Sequence, residues 1–132
     1  MTAMLGSKES QALSGQRILV VEDDYLVASW LSGVLRQWGC EVVGPAPTVQ
    51  EGLRLAEKGE IEGAILDINL RGEHSGPVAE ALEAKGLPFF FLTGYGSPAL
   101  LPERLRQRQK LFKPVKASEL RAAVQGRFGP KD

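Results

Sequence analysis

Arg17-Ile18-Leu19-Val20-Val21-Glu22-Asp23-Asp24 is the stretch whose reading decides the fold. A short apolar run, rich in β-branched residues, ends abruptly in three carboxylates. Such a run reads as a strand covered on both faces. The same grammar recurs down the chain. Gly63-Ala64-Ile65-Leu66 stops at Asp67, Leu87 to Leu92 carries Phe89-Phe90-Phe91 and stops at Thr93, and Lys110-Leu111-Phe112 stops at Lys113-Pro114. Glu41-Val42-Val43 is a shorter run of the same kind, followed by the loop Gly44-Pro45-Ala46-Pro47.

Helical patterns fill the intervals. Leu26, Val27, Trp30, Leu31, Val34, Leu35 and Trp38 recur at three- and four-residue steps before Gly39. Asp23 or Asp24 can cap that helix, and Thr48, with Glu51 three residues on, can cap the next, over 48–58. Further helices are expected over 77–85, 99–108 and 117–125, and a polar loop over 68–76. Strand and helix thus alternate five times, which implies a parallel sheet with helices on both faces. The expected fold is α/β: a flavodoxin-like (βα)5, doubly wound, five-stranded parallel sheet with strand order 2-1-3-4-5.

Composition bounds the function. The chain has 132 residues, 43% hydrophobic and 24% charged, enough for one domain with its own core. Lys plus Arg is 16 and Asp plus Glu is 16, so the net charge is zero and the basic excess of a nucleic-acid binder is missing. The single cysteine, Cys40, offers no internal disulfide. No apolar run reaches the roughly 18 residues of a membrane span, and Met1 to Gln16 lacks the apolar segment of a secretory signal. The expected location is cytoplasmic. Residues 1–15 are read as a flexible tail, 16–126 as the domain, and 127–132 as a C-terminal tail.

Ligands of a doubly wound sheet bind beyond the strand C-termini, at the switch point. The residues placed there are Glu22 and Asp23 after strand 1, Asp67 and Asn69 after strand 3, Thr93 after strand 4 and Lys113 after strand 5. Taken singly, each has an ordinary explanation: an acidic helix start, a turn residue, a loop threonine, a solvated lysine. Together on one edge they form a constellation. Three close carboxylates are tolerable if they take up protons or bind a cation. All-oxygen ligands suit Mg²⁺, and one cysteine with one histidine, His74, does not suit zinc. Asp67 can act as a nucleophile and form an aspartyl phosphate. Thr93 and Lys113 can hold phosphoryl oxygens as charge develops.

These residues resemble the receiver domain of two-component response regulators. The matching segments are Val20-Val21-Glu22-Asp23, Asp67 with Asn69, Thr93-Gly94 and Lys113-Pro114, and the resemblance covers about residues 16–126. It implies that Asp67 takes a phosphoryl group from the phosphohistidine of a sensor histidine kinase. It implies Mg²⁺ ligation by Asp23 and Asp67, by Glu22 through water and by the backbone carbonyl of Asn69. Thr93 and Lys113 would bind the phosphoryl oxygens. Two departures stand out. The position three before the lysine, aromatic in many receivers, is Lys110. The segment Pro88 to Tyr95 resembles the subgroup with a Phe-x-Thr-Gly-Tyr signature, often stand-alone proteins, and makes Tyr95 the candidate substitute switch.

The resemblance implies a single-domain, non-enzymatic regulator. It would be a monomer or weak dimer that acts through a downstream protein or a phosphotransfer partner, without nucleic acid or membrane. Leu100-Leu101-Pro102 with Arg104, Arg106 and Arg108 reads as a core-facing helix with a solvated basic side, or as a partner surface. The competing readings are a haloacid-dehalogenase-type Mg²⁺ phosphatase, a flavodoxin-like cofactor binder and a pseudo-receiver that takes no phosphate. The first needs an acid/base Asp two residues after the nucleophile, where Asn69 stands. The second needs a phosphate-binding loop after strand 1, where Glu22-Asp23-Asp24 stand. The third would have lost an acidic or lysine position, and none is lost.

Overall fold

The computed structural model describes residues 13–94 and 96–128. In chain order the elements are β1 (Arg17–Val21), α1 (Tyr25–Gln37), β2 (Glu41–Ala46), α2 (Val49–Lys58), β3 (Gly63–Asp67), β4 (Asn69–Leu70), β5 (Glu73–His74), α3 (Gly76–Ala84), β6 (Phe89–Thr93), β7 (Lys110–Phe112) and α4 (Ala117–Phe128). The main sheet is parallel, in the order β2-β1-β3-β6-β7. With β4 and β5 set apart as a small antiparallel hairpin, this is the expected 2-1-3-4-5 order.

The apolar runs are continuous because the pleat sends alternate residues into two separate cores. Leu19, Val21, Ala64, Leu66, Phe89 and Phe91 pack against Val49 and Ala56 of α2 and Val78 and Leu82 of α3. Ile18, Val20, Ile65, Phe90 and Leu92 pack against Leu31 and Leu35 of α1 and Leu120, Val124 and Phe128 of α4. Asp24 starts α1 by accepting from the backbone N–H of Leu26 (2.9 Å) and Val27 (3.2 Å). Thr48 starts α2 by accepting from Glu51 N (3.1 Å), while Glu51 itself turns outward to Arg54. Among the described residues no helix is long and apolar enough to cross a membrane.

The structure departs from the sequence expectations at five places. First, β2 extends through Gly44-Pro45 to Ala46, because Gly44 takes φ +96° and lets a bulge form between the pairs Leu19–Val43 and Val21–Ala46. Second, the expected loop 68–76 holds the β4–β5 hairpin, turned at Arg71 (φ 55°) and Gly72 (φ 90°). Third, 99–108 is not one helix but two 3-10 segments, Ser97–Leu100 and Glu103–Leu105. Pro102 holds the preceding Leu101 extended (φ −78°, ψ 150°), which interrupts any helix there. Fourth, α4 runs past Gly126 to Phe128, whose ring stacks on Phe90 with centroids 5.6 Å apart. The boundary expected at 126/127 therefore cuts a packed helix. The expected tail 1–15 also ends too late, since Leu13 is fully buried and Gly15 N donates to Gly39 O (2.8 Å). Residues 1–12 and 129–132 lie outside the described residues.

The core-facing half of the reading of 100–108 holds, since Leu101 and Leu105 are buried and Arg104 and Arg106 exposed, but the segment is two 3-10 turns and its basic residues are paired. Arg104 pairs with Glu80 (3.0 Å) and Glu83 (3.1 Å), and Arg108 pairs with Glu83 (3.1 Å) while lying 4.5 Å over the Phe89 ring. Arg106 donates to the carbonyls of Leu101 and Ala99. Lys110 donates to those of Arg106 and Arg108. Arg104 and Arg108 thus hold an irregular segment against α3, while Arg106 and Lys110 take backbone carbonyls that a missing helix leaves open.

Gly63 tests the second core. A Cβ there would lie 2.5 Å from two ring carbons of Phe128. Gly63→Ala should lower stability by roughly 1–3 kcal/mol through overpacking, read as a lower urea midpoint. In a Phe128→Ala background most of that cost should disappear.

Candidate functional site

Parallel strands deliver their C-terminal residues to one edge, and the site is built there. Glu22 follows β1, Asp67 ends β3, Thr93 ends β6 and Lys113 follows β7. The β1–β3 pairing sets Val21 beside Leu66, so the carboxylates that follow them are neighbours. One carboxylate oxygen each from Glu22, Asp23 and Asp67 lies within 4.8 Å of the others. Glu22 is 2% exposed and Asp67 6%, and Thr93 is fully buried.

Lys113 spans the two buried carboxylates. Its Nζ lies 2.9 Å from Glu22 Oε1 and 3.3 Å from Asp67 Oδ2. Burial works against its charge, but the hydrogen bond to Glu22 and the charges of Asp67 and Glu22 outweigh it and raise its pKa. Burial also pushes Asp67 up to about 7, the Glu22 charge pushes the same way, and Lys113 pulls it back only in part. The pocket therefore carries more negative charge than one lysine can offset. An all-oxygen, partly desolvated set of this kind suits a hard divalent cation.

Backbone contacts fix the acids. Glu22 Oε2 accepts from Asp24 N (3.0 Å), and Asp23 Oδ2 accepts from Arg71 N (3.2 Å). The Asn69 side-chain oxygen accepts from Gly72 N (3.0 Å), which leaves that side chain committed to the hairpin turn. Thr93 Oγ1 donates to Gly94 O (3.1 Å), and Lys113 N donates to Thr93 O (2.9 Å). The structure thus brings together Glu22, Asp23, Asp67 and Lys113. It places Thr93 at the end of the neighbouring strand and Asn69 two residues past Asp67. Tyr95, the candidate switch, lies outside the described residues. Sequence reasoning missed the Arg71 N–H, which orients Asp23. The Arg71-Gly72 pair between two short extended pieces was the available signal for that turn.

The sequence profile of the response regulator receiver domain matches residues 18–125. The chain belongs to the response regulator receiver family. It is 30% identical over 120 residues to the phyllosphere-induced regulator PhyR of Methylorubrum extorquens, a match that covers 89% of this chain and 45% of PhyR. It is also 30% identical over 121 residues to the transcriptional regulatory protein PdtaR of Mycobacterium tuberculosis, covering 89% of this chain and 58% of PdtaR. The chain spans about half the length of these curated relatives. The solution structure of SdrG from Sphingomonas melonis is similar with 41% identity and a TM-score of 0.74, over 83% of this chain and 93% of SdrG.

The charge imbalance has a pH signature in metal-free protein. Asp67 titrates near 7 folded against an ordinary 3.8. Between those values the folded state holds a proton that the unfolded chain has released, so stability falls as pH rises through that window and then levels off. Asp67→Asn removes the penalty. In EDTA it should raise Tm by on the order of 5–10 °C at pH 8 and by little below pH 4, checked by thermal melts across pH.

Proposed function

We propose that Asp67 accepts a phosphoryl group from the phosphohistidine of a sensor histidine kinase in a Mg²⁺-dependent reaction. The observation that carries this reading is Lys113 held between Glu22 and Asp67 in a pocket of three carboxylates. A pocket with one fixed cation and surplus negative charge suits a divalent ion and the phosphoryl oxygens that the ion and the lysine would share. The family match favours this over a haloacid-dehalogenase-type phosphatase, as does Asn69 in place of an acid/base aspartate.

In the reaction, a carboxylate oxygen of Asp67 forms a bond to phosphorus while the phosphorus–nitrogen bond to the donor imidazole breaks. The imidazole nitrogen keeps the electron pair. Asp23, Asp67, the Asn69 carbonyl and, through water, Glu22 would hold Mg²⁺. When bound, that ion neutralises the carboxylates and polarises the phosphoryl oxygens. Lys113, already beside Asp67, takes one phosphoryl oxygen. Thr93 Oγ1 gives up its bond to Gly94 O and donates to another, which couples the loop after β6 to the phosphorylated state. Tyr95 then takes the switch role for which the Lys110 position lacks an aromatic ring. Lys110 is held instead by the carbonyls of Arg106 and Arg108.

A macromolecular donor needs a surface beside the pocket. Leu26 (77% exposed) and Trp30 (39%) stand there, and the groove that they line with Val115 shares Lys113 with the site. This apolar rim is the face on which the kinase docks. The output is contact with a downstream protein or a phosphotransfer protein, with no catalysis on an external substrate.

Intact mass tests the reading. With acetyl phosphate and Mg²⁺ the chain should gain one phosphoryl group, and with EDTA or in Asp67→Asn it should gain none. Lys113→Met should slow the gain by about 100-fold or more, as for loss of a fixed oxyanion donor. If wild type gains no adduct and beryllofluoride with Mg²⁺ leaves the amides near Asp67 and Thr93 unmoved, the pseudo-receiver reading replaces this one. Tyr95→Ala should still be phosphorylated but lose the beryllofluoride-induced amide shifts across 97–109. Full retention of those shifts would remove Tyr95 from the switch.

A further inference from the structure

A cavity of about 400 Å³ opens beside the acidic pocket, between α1 and the end of β2. Helix α1 lines it with Ser29, Ser32 and Arg36, at three- and four-residue steps along one stripe. Pro45 and Pro47 supply an apolar wall, and Arg71 of the β4–β5 turn completes the lining. The β2 bulge at Gly44 brings Pro45 to this wall.

Three observations point to a ligand. Ser32 is only 4% exposed, and its Oγ has no hydrogen-bond partner among the described residues. A buried hydroxyl normally has one. The guanidinium groups of Arg36 and Arg71 make no ion pair among the described residues, whereas Arg54, Arg104 and Arg108 all do. Of the two carboxylates that reach this cavity, Glu22 faces Lys113 and Asp23 Oδ2 accepts from the Arg71 backbone N–H, so neither is paired with the guanidinium groups of Arg36 and Arg71 among the described residues. A single water could satisfy Ser32, but its share of liquid volume is only about 30 Å³. The cavity is in the size range of small-molecule sites, roughly 300–1,000 Å³.

We propose that this cavity binds a small oxyanion-bearing molecule, a carboxylate or a phosphate. The oxyanion is held by Arg36, Arg71 and the Ser32 hydroxyl, and the remainder of the molecule lies against Pro45 and Pro47. Guanidinium groups match oxyanions in a planar, two-pronged geometry, which single ammonium groups do not. The site does not depend on a reaction at Asp67. Its failure and the failure of the phosphoacceptor reading are therefore separate events.

The test is an amide-shift titration of the ¹⁵N-labelled full chain in EDTA and phosphate-free buffer. Inorganic phosphate is added in one arm, and acetate or malonate in the other. Saturable shifts are expected at Ser29, Ser32, Arg36 and Arg71, and they should persist in Asp67→Asn. Ser32→Ala and Arg36→Gln should each weaken binding about tenfold, the loss expected for a hydrogen bond to a charged group. Arg36 is exposed, so Arg36→Gln keeps the test decisive even if Ser32→Ala disturbs the helix. Saturation in the phosphate arm alone assigns a phosphoryl-bearing ligand, and saturation in the carboxylate arm alone assigns an organic acid. Shifts that do not saturate, that centre on Thr93 and Lys113, or that are unchanged in both variants would overturn the proposal.

Discussion

Two buried carboxylates at the mouth of a parallel sheet repel each other, and among the described residues one lysine faces both of them. Glu22 and Asp67 are almost wholly covered, and Lys113 reaches both. That arrangement is poorly stable as an isolated object, because burial disfavours each charge and a single ammonium cannot neutralise two. It persists because the surrounding elements are fixed by other forces. The two apolar cores hold the strands in register, and the strands place the acids whether or not the acids prefer it. Excess negative charge held rigidly in this way suits a hard cation, whose binding would relieve the repulsion.

The central architecture was legible because each signal was redundant. Val20-Val21-Glu22-Asp23 marks a strand by its apolar run and an edge by its charges, and Gly63 to Asp67 repeats the message on a neighbouring strand. Parallel topology then forces both acids to one side, so Asp23, Asp67 and Lys113 could be brought together without coordinates. What was hidden depended on single backbone torsions or on long-range packing. The bulge in β2 turns on Gly44 at φ +96°, and the hairpin after Asp67 turns on Arg71 at φ 55°, a conformation that an arginine rarely adopts and that no periodicity announces. The length of α4 was misread because Gly126 looks like a stop, whereas the stacking of Phe128 on Phe90 continues the helix through it.

The segment between β6 and β7 shows why local pattern can mislead about charge. Arg104, Arg106, Arg108 and Lys110 look like a basic face when read along the chain. Pro102 denies that segment a regular helix, and the carbonyls left without helical partners recruit Arg106 and Lys110. Glu80 and Glu83 on α3 recruit the other two. These side chains stay at the surface, Arg104 at 58% exposure, yet serve as struts. They do so next to the strand whose end carries Thr93.

Leu13 and Phe128 close the same core, and they stand 115 positions apart (128 − 13). A ribosome therefore releases the α2–α3 side of this molecule with all its partners in hand, yet leaves Phe90 and Gly63 uncovered until the last helix has cleared the exit tunnel. During that interval α1 alone covers this face of the sheet, and the part that α4 will seal is exposed hydrocarbon of the kind that chaperones exist to shield. The same geometry sets a rule for anyone joining another protein to this one. The seam must fall beyond Phe128, because a cut two residues earlier severs the helix that seals the sheet.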